Sequence, residues 1–205
     1  MKKQFILIVI AAIVAGFMPA AAQSPAAMLD KCVAAINQAG GVTASYTITA
    51  SNGTSSGTIA MQGTKFRVLS PEAKCWYDGK TQWAWSPATG EVNVTNPTAE
   101  ELQMTNPMAA AQSFKQNWNL KKAKARTPNT YVIKLTPKKK DNIKQLWLYF
   151  DTTTSLLRTA RFDMQDGTVY KIQIKGYKTR QQLPATTFSY DKSQVPAGTT
   201  VVDLR

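Results

Sequence analysis

Apolar positions along this chain change their period three times. Between Ser24 and Ala39 they recur at Met28, Leu29, Cys32, Val33 and Ile36, the spacing of an amphipathic helix that Gly40-Gly41 ends. From there the period is two. Tyr46, Ile48 and Ala50 alternate with Thr47 and Thr49, Asn52-Gly53 supplies a hairpin turn, and Ile59 and Met61 lie on the returning strand. Further strands are expected at 65–69, 74–77, 81–86 and 91–95, with turns at Ser70-Pro71, Asp78-Gly79 and Pro87 to Gly90. Between Pro97 and Leu120 the helical period returns, starting at Thr98-Ala99-Glu100-Glu101 and again at Pro107. Strands resume at 130–136, 143–150, 157–164 and 168–177, and a last pair, 186–190 and 200–204, flanks Pro196-Ala197-Gly198.

That makes about eleven strands, too many to lie open without curling. Strands with one apolar face bury it on the inside of a curved sheet. The expected fold is therefore mainly β: an incomplete antiparallel β-barrel, covered by the N-terminal helix and by the helical insertion acting as a lid. No linker or internal repeat interrupts it, so residues 23–205 read as a single domain.

In 81–86 the two tryptophans alternate with Gln82 and Ala84, so Trp83 and Trp85 share one face. Together with Tyr46, Phe66, Leu148, Phe150 and Phe162 they are expected to line the concave side. Such residues are either plain core or the wall of an apolar cavity that two short helices leave partly uncovered. The insertion carries Met104, Met108 and Phe114, and unbranched methionines adapt to irregular apolar partners. These ten residues form the candidate ligand-binding set.

Composition narrows the chemistry. With no His, neither a Ser-His-Asp arrangement nor an imidazole metal site can form, and the 12 carboxylates are scattered. No catalytic residue, metal ligand or cofactor is assigned. Lys2 and Lys3, the apolar run 5–17 and Ala20-Ala21-Ala22 read as an export signal cleaved after Ala22, which places the protein in the periplasm. In that oxidising compartment Cys32 and Cys75 either form one disulfide, the preferred reading, or are two separately buried thiols. The net charge of +13 comes largely from the second half of the chain. Without a recognition motif, and in an exported protein, it does not point to nucleic acid. Solvated strand faces carry it, and the field draws the protein toward anionic membranes or acidic partners.

Gly57-Thr58-Ile59-Ala60-Met61, Lys65-Phe66-Arg67, the run from Trp76-Tyr77-Asp78-Gly79-Lys80-Thr81 through Gln82-Trp83-Ala84-Trp85, and Glu91-Val92-Asn93-Val94 resemble the LolA family of periplasmic lipoprotein carriers. Thr187-Phe188-Ser189 and Val201-Val202-Asp203 are similar to the family's final hairpin. The resemblance implies an incomplete barrel under a helical lid that carries acyl chains of lipidated proteins from an inner-membrane exporter to an outer-membrane acceptor, without a cofactor; a monomer is the expected state. One departure stands out: ahead of Phe66, where the family often has Arg-Pro, this chain has Gln62-Gly63-Thr64, so the arginine latch between barrel and lid is missing. Two other readings remain: a binding protein for a free lipid, glycolipid or other apolar ligand, and an interaction protein with a fully packed barrel.

Overall fold

The computed structural model describes residues 23–205, apart from the side chains of Met104 and Pro107. The expected leader at 1–22 lies outside the described residues. Helix α1 (Pro25–Gln38) starts at Ser24, whose hydroxyl accepts from the Ala27 amide at 3.2 Å, with proline in the first turn where no amide is needed.

Six strands follow: β1 (Gly41–Ala50), β2 (Gly53–Gln62), β3 (Lys65–Leu69), β4 (Lys74–Tyr77), β5 (Gln82–Ser86) and β6 (Glu91–Thr95). Two helices come next, α2 (Ala99–Thr105) and α3 (Pro107–Asn117). Then come β7 (Trp118–Ala123), β8 (Thr130–Pro137), β9 (Ile143–Asp151), β10 (Leu157–Met164) and β11 (Val169–Gln181). After two 3-10 turns, Ala185–Phe188 and Lys192–Gln194, the last strand is β12 (Thr200–Asp203).

All twelve strands form one open, curved sheet in the order β12-β6-β5-β4-β3-β2-β1-β11-β10-β9-β8-β7. The two halves meet where β1 pairs with β11, and the insertion leaves from β6 near one edge and re-enters at β7, the other edge. Connectivity alone therefore carries α2 and α3 across the mouth of the half-barrel. The principal core lies between the concave face and α1, whose Met28, Leu29, Cys32 and Ile36 meet Phe66, Leu148 and Phe150 from the sheet.

Two expectations are corrected. Residues 186–190 are not a strand: Phe188 is buried within a 3-10 turn, and β12 pairs parallel with β6, so the chain closes without a hairpin. Strand β7 was not foreseen, because its lysine-rich sequence lacks a clean alternation; lysines on an edge strand also discourage pairing with another chain.

Gly57 has a steric role. A Cβ there would lie 2.4 Å from the Leu69 carbonyl oxygen and 2.5 Å from the Tyr46 hydroxyl, so only glycine lets the Tyr46 ring cross β2.

Candidate functional site beneath the helical lid

The turn between β4 and β5 builds one wall of the site. The Asp78 carboxylate accepts from the amides of Lys80 (2.9 Å) and Thr81 (2.8 Å). Tyr77 donates its hydroxyl to the Gly79 carbonyl at 2.9 Å, and the buried Thr81 donates to Asn96 at 3.0 Å. The Asp-Gly-Lys-Thr motif thus fixes a tight turn and sets Tyr77 against the Phe66 ring, with centroids 5.5 Å apart.

Facing that wall is the lid. Thr98 and Glu101 form a reciprocal capping box at the start of α2. Asn106 ends α2 and caps α3, its side-chain oxygen accepting from the Met108 amide at 2.9 Å. The same buried side chain donates its Nδ2 to the Thr64 carbonyl at 3.1 Å. Thr105 donates to Gln82 of β5 at 3.1 Å, and Lys115 of α3 meets Asp30 of α1 at 2.5 Å. Leu102, Met108 and Phe114 supply the apolar contacts, and Phe114 stands edge-on to Trp118 at 5.8 Å. Between lid, α1 and sheet remains a cleft of about 530 Å³, lined by Val33, Asn37, Gly63, Thr64, Tyr77, Gly79, Leu102, Asn106, Met108 and Ala109.

The structure brings some of the ten candidate residues together and not others. Phe66, Leu148 and Phe150 are tightly packed in the principal core, and Phe162, Met108 and Phe114 pack at its margin. Tyr46 is half-buried on the same face, opposite Gly57. The Met104 side chain lies outside the described residues. Trp83 and Trp85 require a correction, because they point to the convex face. Trp76 is opposite Trp83, while Tyr77 is opposite Gln82, so it is Gln82 that turns inward, toward the lid.

On the convex side Trp76, Trp83, Trp85 and Val92 make a second apolar cluster, roofed by Tyr190 and Val195 of the C-terminal segment. Alternation showed that the two tryptophans share a face but not which face, and nothing in the pattern announced a second apolar layer there.

Cys32 and Cys75 are both free, which corrects the preferred disulfide. Cys32 lies by Leu157 and Tyr177, at the β10–β11 side of the concavity, whereas Cys75 pairs in register with Val68 and Ala84 on β3 and β5. Burial pushes the Cys32 thiol up to about 11 and the Cys75 thiol up to about 12.

Sequence reasoning missed Tyr77, Leu102, Asn106 and Trp118 as site residues. Asn106-Pro107 is a helix-start pair that could have identified the cap, though not its second bond to Thr64. That bond ties the junction of the two lid helices to the turn between β2 and β3.

The family model described as outer membrane lipoprotein carrier protein LolA matches residues 16–182. The chain belongs to the LolA family. No curated protein matches it in sequence.

Among solved structures, an uncharacterized conserved protein from Thermus thermophilus is similar with a TM-score of 0.59 at 13% identity, covering 86% of this chain and 96% of that one. A LolA superfamily protein from Nitrosomonas europaea gives 0.43 at 11%, covering 82% and 98%. The MucA/MucB complex of Pseudomonas aeruginosa gives 0.48 at 11%, covering 84% and 62%. The likeness to the Thermus protein attests the fold alone. The segment from 183 onward, which roofs the convex tryptophans, lies beyond the LolA family match.

Proposed function

We propose that this LolA-family protein is a periplasmic carrier that shelters the acyl chains of lipoproteins beneath its lid and passes them to the outer membrane. One observation carries the reading: an apolar cleft of about 530 Å³ is roofed by helices tied to the sheet through a few separable contacts. Its volume falls within the ~300–1,000 Å³ common for small-ligand sites. Each neutral hydrogen bond of the lid contributes about 1 kcal/mol net, and the exposed Lys115–Asp30 pair adds little, so an entering acyl chain has a modest closed-state stability to overcome.

Met108 and Phe114 on the lid and Tyr77 on the wall would exchange contacts with one another for contacts with the chain, while the Phe66, Leu148 and Phe150 layer stays packed as the floor. No bond is made or broken, and the work is burial of apolar surface at about 25 cal/mol per Å².

Purification from periplasm under native conditions, followed by mass spectrometry of whatever remains bound, tests this. An acylated protein is the expected passenger. An extractable free lipid with no acylated protein supports the alternative of a lipid-binding protein without a delivery role, and a protein that binds neither contradicts both.

A further inference from the structure

We propose that the convex face of β7–β11 docks the protein onto an anionic phospholipid surface. This is separate from what the concave side carries. Residues 118–181 hold 15 Lys and Arg against four Asp and no Glu. Residues 23–117 hold six of each sign, so the excess charge of the described chain sits on one half of the sheet.

Register then concentrates it. Lys121 stands opposite Lys134, Lys134 opposite Trp147, Trp147 opposite Arg161, and Arg161 opposite Lys171. Directly paired residues point to the same side of a sheet, so these five make one row across five strands, about 19 Å long at ~4.8 Å per strand. The row lies on the side away from the core, since the alternate positions Leu120, Leu135, Leu148, Ala160 and Ile172 pack inward.

Within the row Arg161 is paired with Asp163 at 2.7 Å. Lys121, Lys134 and Lys171 have no carboxylate partner among the described residues, and the Lys134 ammonium rests over the Trp147 ring at 5.2 Å. Tyr149 follows Trp147 on the same face, and Lys175 extends the charge along β11. Where β10–β11 pairing ends, a depression of about 460 Å³ is bordered by Arg158, Thr159, Gln173 and Lys175.

Charge complementarity selects an anionic partner, and the aromatic residues select a lipid one. Lysines attract acidic headgroups over a Debye length, and Trp and Tyr rings favour the headgroup level of a bilayer. At the rim of the depression Arg158 is already paired with Asp151, so Lys175 is the cation left to meet a phosphate headgroup, beside the polar Thr159 and Gln173. An acidic protein would need a shaped, hydrogen-bonding surface, whereas this row is open and repetitive.

Vesicle sedimentation tests the proposal with the purified protein. Binding is expected to vesicles of equal parts phosphatidylcholine and phosphatidylglycerol and not to phosphatidylcholine alone. It should weaken at least about tenfold as salt rises from ~0.1 M to ~1 M. The triple variant Lys121→Glu/Lys134→Glu/Lys171→Glu should lose at least about tenfold in affinity, while Lys31→Glu/Lys80→Glu/Lys192→Glu, with the same charge change elsewhere, should lose less than threefold; circular dichroism checks that both fold. Equal losses in the two triples overturn the assignment to this face. Absence of binding to the anionic vesicles overturns the lipid surface altogether and leaves an acidic protein as the partner.

Discussion

Asn106 concentrates two functions in one buried amide, since it starts α3 and ties the lid to the Thr64 carbonyl. Asn106→Ala removes a cap worth about 0.5–2 kcal/mol and strands a carbonyl acceptor, so a stability loss of about 1–3 kcal/mol is expected in denaturant titration. Because the lost contacts belong to the closed lid, uptake of a fluorescent fatty acid should become faster, not slower. A variant with unchanged uptake kinetics would remove Asn106 from lid control.

The two thiols give a pH prediction at the same scale. Each titrates higher in the folded chain than its ordinary 9.0, so their neutral forms add stability fully below that value. It is lost as pH rises through about 11 for Cys32 and about 12 for Cys75. Native protein at pH 8 should resist iodoacetamide at both positions and react at both once unfolded. Rapid alkylation of the buried Cys32 or of the half-buried Cys75 in the native state would contradict the raised titration of that thiol.

Among the elements, β3, β4, β6 and β10 were legible to the residue, because clean alternation bounded by turn residues leaves little choice of register. The insertion was legible as two helices, since Thr98 with Glu101 and Pro107 mark their starts. The long-range partners of short segments were not legible: β12 chose a parallel place beside β6, and the 3-10 turn Ala185–Phe188 settled against β3 and β4. Pairing of that kind depends on which surface is left uncovered by the rest of the fold.

The convex cluster therefore has a structural expectation opposite to that of a binding wall. Trp85→Ala should cost about 3–5 kcal/mol through loss of packing under Val195, and it should leave acyl-probe affinity unchanged. For the lid, joining Gln82→Cys to Thr105→Cys with a short bis-maleimide should block uptake that the unlinked double variant retains. Undiminished uptake by the linked protein would mean that the lid does not gate the cleft.

At the scale of the molecule the sheet separates two surfaces. Its concave side gathers the apolar floor, the Asp-Gly-Lys-Thr turn and the lid, and its convex side carries the tryptophan cluster on one half and the row of lysines on the other. The principal claim is that acyl chains enter between lid and concave face. A photoreactive fatty acid bearing a diazirine near its methyl end tests it most directly, with the labelled residues identified by mass spectrometry after irradiation. The account predicts labels on Val33, Tyr77, Leu102 and Met108. Labels confined to Trp83, Trp85 and Tyr190, or saturable binding that leaves the cleft residues unlabelled, would contradict it.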